Sequence, residues 1–137
     1  MATSLKDSLR TTMMTAIVTS ITGTSNLKIY NNSGAVPGKT ASPTVNGATL
    51  LATLACSATF GTVTTGVLTA NTITAAVAGA SGTPAFYRII DGATDDGTHT
   101  QVQGSCGVGS GDINFSSTIA SGGTVSISAL SYTEGDA

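Results

Sequence analysis

The chain has 137 residues, a length that suits a single domain. Charged residues make up 9% of it, against about 25% in an average globular protein. With five Lys and Arg residues, seven Asp and Glu residues and one His, the sequence lacks the basic footprint of a nucleic-acid-binding protein. One His and seven acidic residues are also few for an enzyme that depends on a histidine base or on several carboxylates.

Small residues dominate the composition, since 76 of the 137 residues are Thr, Ser, Gly or Ala. The net charge of -2 is too low for a typical disordered chain, so we expect an ordered domain with a thin core. No run of 18 apolar residues is present, which predicts no membrane partner. The start of the chain lacks the apolar segment of a signal peptide, so Cys56 and Cys106 are expected to remain free thiols.

Residues 4–22 are predicted to form an amphipathic helix, which Ser4 would cap and Gly23 would end. Apolar residues recur every four positions in this segment, at Leu5, Leu9, Met13, Ile17 and Ile21. The apolar stripe can cover the domain's own sheet or pack on a neighbouring subunit, and the sequence leaves both possibilities open. We therefore treat residues 1–23 as an N-terminal arm and helix.

After Gly23 the apolar pattern changes to a period of two, separated by Gly-rich turns. About eight short strands at roughly ten-residue spacing indicate an antiparallel β-sandwich or jelly roll over residues 24–137. Residues 31–48 are rich in turn-forming residues and predict a long loop. The apolar phase shifts within residues 124–132, which predicts a bulge or a bend.

Two predicted strands carry most of the apolar alternation. In the first, Leu50, Ala52 and Leu54 share one face. The second spans 85–91, where one face carries Ala85, Tyr87 and Ile89 and the other carries Phe86, Arg88 and Ile90. We expect the segment 85–91 to be the strongest strand of the domain.

No catalytic, cofactor-binding or metal-binding residue is predicted. His99 has no G-x-S-x-G partner motif, and the glycines around Cys106 do not mark a thiolate site. The acidic run between Asp91 and Asp96 lacks the alternation of a calcium loop and is more typical of a turn, although the sequence does not decide whether it binds a cation. The Gly107–Gly111 stretch lacks the Lys of a phosphate loop.

The most informative feature is a span of 48 residues, Thr40 to Tyr87, that contains no charged residue. A free monomer usually intersperses charged groups over its surface. An uncharged surface loses little hydration when another chain covers it. The pattern therefore favours a protein that works by association with other protein chains.

Four segments of the chain are distinctive, namely NLKIYNN, GATLLATLACSATFGTVTTGVLTANTITA, SGTPAFYRIIDG and DINFSSTIASGGTVSISALSYTEGDA. In these segments the chain resembles small Gly/Thr-rich virion proteins of tailed bacteriophages, most closely the capsid decoration, or cement, proteins. The resemblance implies a jelly-roll-like fold, a dimer or trimer, and a position on the capsid exterior after synthesis in the host bacterial cytoplasm. It implies the major capsid protein as the partner and carries no catalytic motif or cofactor.

The interface residues that we predict come from the N-terminal helix and from the uncharged loops at 31–48 and 60–66. They are Leu5, Leu9, Met13, Ile17, Ile21, Val36, Val45, Phe60 and Val63. Three alternatives remain at this point: a tail or neck component of the particle, a carbohydrate-binding β module, and an enzyme. The absence of Trp weakens the carbohydrate module, and the missing nucleophile–base pair weakens the enzyme.

Overall fold

A computed structural model describes residues 4–21, 24–32, 36–38, 40–41, 47–92 and 94–133. Within these residues the chain forms one α-helix followed by ten strands. The elements are α1 (Asp7–Ser20), β1 (Asn26–Asn31), β2 (Leu50–Ala55), β3 (Gly61–Thr64), β4 (Val67–Ala70), β5 (Ala76–Val77), β6 (Pro84–Ile90), β7 (Thr100–Val108), β8 (Ile113–Phe115), β9 (Thr124–Val125) and β10 (Ser131–Thr133). The predicted mainly-β fold with an N-terminal helix is confirmed, as a curled mixed sheet that forms a half-barrel.

The largest sheet has five strands in the order β2-β1-β6-β7-β8. Its central strand, β6, pairs antiparallel with both β1 and β7. Tyr87 and Ile89 on one face of β6 are buried, and so are Phe86, Arg88 and Ile90 on the other. The alternation predicted for this strand is therefore confirmed, and both faces of the sheet are covered at its centre.

A three-stranded sheet, β10-β4-β3, and a two-stranded sheet, β5-β9, complete the architecture. One apolar cluster joins the inner face of the large sheet to the small sheet and to the helix, through side chains that include Leu27, Ile29, Leu54, Leu68 and Met14. A second, smaller cluster of Tyr30, Ala48 and Phe86 lies on the outer face of the large sheet. The fold therefore has a main core and a separate minor core.

The helix is shorter than the sequence predicts and lacks the predicted cap. It begins at Asp7 after Lys6, no side chain caps it, and Gly23 lies outside the described residues. Met14 and Ile21 are buried in the main core, and the Thr11 hydroxyl accepts a hydrogen bond of 3.1 Å from the Gly66 amide between β3 and β4. Of the predicted stripe, Ile21 is buried in the main core and Ile17 packs against it, whereas Leu9 and Met13 are exposed, so the stripe covers the domain's own sheet only in part.

A β-bulge corrects the predicted face of Leu50. The register passes from Ile29 opposite Ala52 to Tyr30 opposite Leu50, which leaves Leu51 without a partner across the ladder. Leu51 therefore enters the main core, whereas Leu50 is 38% exposed. The predicted bend within 124–132 is also present, since this segment is divided into β9 and β10.

The pairing of β7 with β8 is parallel, which departs from the antiparallel sandwich that we expected. The chain reverses twice between Val108 and Ile113, so that β8 runs alongside the end of β7 after only four residues. Gly111 makes this possible, because its φ is +88° and a Cβ there would lie 2.8 Å from the Cα of Cys106. A tight Gly-rich connection therefore replaces the long crossover that parallel strands usually need.

Candidate functional site

The most elaborate polar arrangement in the described residues surrounds Arg88, whose side chain is completely buried. Its guanidinium donates Nε–H to Oε1 of Gln103 at 2.8 Å and Nη1–H to Oδ1 of Asp95 at 2.9 Å. Nη1 also donates to the carbonyl oxygen of Ala41 at 2.8 Å, and Nη2 donates to that of Gly38 at 3.0 Å. We name Arg88, Asp95, Gln103 and Tyr30 the arginine cluster.

The other members of the arginine cluster are hydrogen-bonded as well. The Tyr30 hydroxyl donates to Oδ2 of Asp95 at 2.8 Å, so both carboxylate oxygens have partners. Burial, together with this bond to a carboxylate, raises the pKa of Tyr30 far above its usual value. The Tyr30 and Phe86 rings stack with centroids 5.0 Å apart, and the guanidinium carbon of Arg88 lies 5.9 Å from the Phe86 centroid. The buried charges are thus paired and supported by aromatic faces.

The arginine cluster fastens part of the predicted 31–48 loop to the outer face of the large sheet. Besides the two carbonyls that Arg88 binds, Nε2 of Gln103 donates to the carbonyl oxygen of Pro37 at 3.0 Å. Gly97 allows the two loops to cross closely, because its φ is +89° and a Cβ there would collide with the backbone of Thr40. The described residues 36–38 and 40–41 are therefore held by side chains of β6 and β7.

A different surface is formed by the uncharged span. This span supplies β2, β3, β4 and β5, and its apolar side chains Leu50 and Val77 are 38% and 66% exposed. Both line a groove of about 220 Å³ at the edge of the large sheet, whose other lining residues are Leu51, Ala52, Thr53 and Gly79. We name this region the uncharged edge. None of the lining residues carries a charge, so an apolar side chain from another protein could enter the groove with little loss of ion hydration.

The structure divides the predicted interface residues into three groups. Leu9, Met13 and Val36 are exposed and accessible to a partner. Leu5, Ile17 and Val63 are half-buried, and Val45 lies outside the described residues. The prediction is wrong for Phe60 and Ile21, because each is 1% exposed and packed in the main core. The sequence placed Phe60 in a loop, but its position just before β3 turns the ring inward.

The acidic loop after β6 is used for internal contacts. Asp95 belongs to the arginine cluster, and Asp96 accepts hydrogen bonds from the amide and hydroxyl of Thr98 at 2.9 and 2.6 Å. These bonds, with a further contact to His99, lower the pKa of Asp96. Among the residues that the structure describes, no three His, Cys, Asp or Glu side chains stand close enough together to hold a metal ion.

Both cysteines are free thiols, as predicted. Burial raises the pKa of Cys56 to about 11 and that of Cys106 to about 12, which keeps both protonated at neutral pH. Close to Cys106, the hydroxyl oxygens of Tyr87 and Tyr132 lie 2.6 Å apart. Burial is also the main cause of the raised pKa of each tyrosine. None of these groups is poised to act as a nucleophile.

The arginine cluster is not among the sites predicted from the sequence. A signal was present, because Arg88 stands between Phe86 and Ile90 on one strand face, and a cation flanked by buried apolar residues must itself be paired in the interior. The acceptors could not have been inferred, since two of them are main-chain carbonyls about 50 residues away.

Comparison of the chain with protein-family models, with curated proteins and with solved structures finds no match in any of the three. No helix in the described part of the chain has the length and apolar character needed to cross a membrane.

Proposed function

We propose that this chain is a structural protein of a bacteriophage particle, which binds the capsid exterior as a dimer or trimer and stabilises contacts between major capsid protein subunits. The observation that carries the proposal is the uncharged edge, where Leu50 and Val77 are exposed within a span of 48 residues free of charge. A partner chain can cover this surface with little loss of ion hydration. The resemblance to decoration proteins supports the same reading.

The stabilising effect follows from mass action. A protein that binds only the assembled lattice lowers the free energy of that lattice relative to its dissociated subunits. Because each copy that bridges two subunits makes the second contact intramolecular, weak individual contacts add up to strong retention. A small domain with an uncharged docking surface is sufficient for this role, and no chemical step is required.

Quantitative mass spectrometry of purified particles tests the location. A decoration protein is expected in hundreds of copies on the head, whereas a few copies per particle would place the chain in the tail or neck. Particles that lack the protein should release their DNA at a lower temperature than complete particles. Equal tolerance of heat and osmotic shock with and without the protein would reject the stabilising role.

A matched pair of variants tests the docking surface. Val77→Glu places a charge on the uncharged edge at a side chain that is 66% exposed, so the fold should tolerate it. Thr15→Glu places the same charge at an exposed position on α1. In a rebinding assay with particles that lack the protein, Val77→Glu should lose binding and Thr15→Glu should retain it. If Val77→Glu retains binding as fully as Thr15→Glu does, the uncharged edge is not the contact.

The helix flank that the sequence predicts as interface is tested in the same assay. Leu9 and Met13 are exposed and lie four residues apart on α1. Loss of binding by Leu9→Glu, with unchanged thermal stability, would extend the contact surface to this flank. Normal binding would restrict the contact to the uncharged edge.

A further inference from the structure

We propose that the gap between β7 and β10 takes up an extended segment of another protein chain, which adds a strand between these two edges and places a Lys or Arg beside Asp112. The gap is a groove of about 440 Å³, which we name the β7–β10 slot. Gln103 and Gly104 line it on β7, residues 131–133 line it on β10, and Asp112 also lies against it. The slot shares no residue with the uncharged edge, so this inference does not depend on the proposed function.

The strand β7 has a free edge at the slot, because β8 pairs only with residues 106–108. The Ser105 amide donates to Oδ2 of Asp112 at 2.9 Å, and the Ser105 carbonyl accepts a bond of 3.0 Å from the Asp112 amide. The main-chain groups of Ser105 therefore face away from β6. Alternate residues of an antiparallel strand face the same side, and the register from Gln103 to Ser105 is regular, so the amide and carbonyl of Gln103 also face away from β6.

The strand β10 has a matching free edge. The Leu130 carbonyl accepts a 2.9 Å bond from the Ala70 amide, so Leu130 and Tyr132 direct their main-chain groups toward β4. Ser131 and Thr133 alternate with them, and their amides and carbonyls therefore point away from β4. Both residues are exposed, and within the part of the chain that the structure describes no main-chain hydrogen bond joins β10 to β7.

Two free edges that line one groove can bond to the same inserted strand, which is the recognition mode of β-strand addition. Proteins usually protect a free edge with Lys, Pro or a covering segment. Residues 100–105 and 131–133 contain no charged residue and no Pro. The hydroxyls of Tyr87 and Tyr132, which lie 2.6 Å apart, join β6 to β10 and hold the two sides of the slot in place without a partner.

The charge of Asp112 favours one kind of segment. Asp112 is exposed and is the one charged residue among the described residues that line the slot. Its Oδ2 accepts bonds from the amide and hydroxyl of Ser105, which leaves Oδ1 to accept a bond from a cation. The chain's own residues 134–137 include Glu134 and Asp136, whose charge Asp112 would repel. An uncharged segment with one basic residue from another protein is therefore the better occupant.

An amide NMR titration of the purified chain tests the proposal. The probe is a synthetic peptide, Thr-Val-Thr-Lys-Thr-Val-Thr, with both ends blocked. The amides of Gln103, Ser131 and Thr133 should shift as the peptide is added, whereas those of Leu50 and Val77 on the uncharged edge should not. Val77→Glu should bind the peptide normally, so a failure of the docking surface in the proposed function and a failure of the slot are distinguishable.

Two matched comparisons test the contacts. Ser131→Pro removes an amide that faces the slot and should weaken binding about fivefold, which is the effect of losing one hydrogen bond, whereas Ser131→Ala keeps the amide and should bind normally. Asp112→Asn should weaken binding of the Lys peptide about two- to fivefold, the range of an exposed ion pair. It should not weaken binding of a peptide with Gln in place of Lys. If Ser131→Pro does not fold, the Asp112 comparison decides alone.

Four results would overturn the proposal. They are the absence of shifts at Gln103, Ser131 and Thr133 with millimolar peptide, and equal weakening of both peptides by Asp112→Asn. Shifts of the same amides on concentrating the chain alone would assign the slot to a second copy instead. Binding that appears only after deletion of residues 134–137 would assign it to the chain's own C-terminal segment.

Discussion

Replacement of Gly104 with alanine should destabilise the fold substantially, because the ring of Tyr87 occupies the space that a side chain would need. The two residues face each other across β6 and β7. A Cβ at position 104 would lie 2.5 Å from Cε1 of Tyr87 and 2.6 Å from its hydroxyl oxygen. Tyr87 is 1% exposed, and its hydroxyl is hydrogen-bonded to that of Tyr132, so the ring cannot move away from position 104 without breaking that bond.

The expected magnitude combines two effects. Overpacking of a well-packed core costs about 1–3 kcal/mol. Displacement of the ring also breaks the hydrogen bond between the two tyrosines, which costs about 1 kcal/mol more. The free energy of unfolding should therefore fall by about 2–4 kcal/mol, which corresponds to a decrease in Tm of roughly 5–15 °C for a domain of this size.

Urea denaturation and thermal unfolding measure this effect. Gly79→Ala is the control, since no atom lies within 4 Å of a Cβ at that position and its stability should be unchanged or up to about 1 kcal/mol higher. In a Tyr87→Leu background the Gly104→Ala substitution should cost less, because the ring atoms that it would strike are gone. A loss below about 0.5 kcal/mol in the unmodified background would refute the reasoning, since experimental changes of that size are typical of exposed sites.

Three further predictions concern the core, the tight connection and the thiols. Met14→Ala should lower the free energy of unfolding by about 2–5 kcal/mol, because Met14 is buried. Met13→Ala should lower it by less than about 1 kcal/mol, because Met13 is 39% exposed. Chemical denaturation of the two variants measures the difference. Gly111→Ala places a Cβ at a residue with positive φ and against the backbone of Cys106, so its Tm should also be lower than that of the unmodified chain. An equal Tm would contradict the tight connection between β7 and β8. The pKa values of Cys56 and Cys106, about 11 and 12 in the folded chain against 9.0 for an ordinary thiol, mean that the folded state binds these protons more tightly. Their contribution to stability is fully present below pH 9 and is lost as the pH rises through 11 and 12, so denaturation midpoints should fall above pH 9, and Ala variants of both thiols should weaken that fall.

Much of the secondary structure could be predicted from the local pattern of residues. The alternation over β6 identifies both of its faces, and the shift of apolar phase after residue 124 marks the break between β9 and β10. The helix was located but its first turn was not, because no side chain caps the described helix and the start at Asp7 carries no strong signal. Local propensity is a weak guide at such ends.

The structure removes two residues from the predicted interface and leaves the others untested. Leu9, Met13 and Val36 are exposed and stay predicted interface residues, whereas Phe60 and Ile21 are core residues. A single apolar residue next to a Gly-rich turn is equally typical of a surface contact and of a core side chain. Only the packing of β3 against the helix and the main core decides between them.

Composition and periodicity by themselves determined that this chain is mainly β, that it begins with an amphipathic helix and that a long span carries no charge. These properties depend on neighbouring residues, and the sequence contains them directly. The tertiary structure decided that Leu50 is exposed beside the bulge and which oxygen atoms accept the hydrogen bonds of Arg88. It also decided that the ring of Tyr87 occupies the space a side chain at Gly104 would need. Each of these depends on atoms from segments far apart in the chain, and the energies of such contacts exist only once folding has brought those segments together.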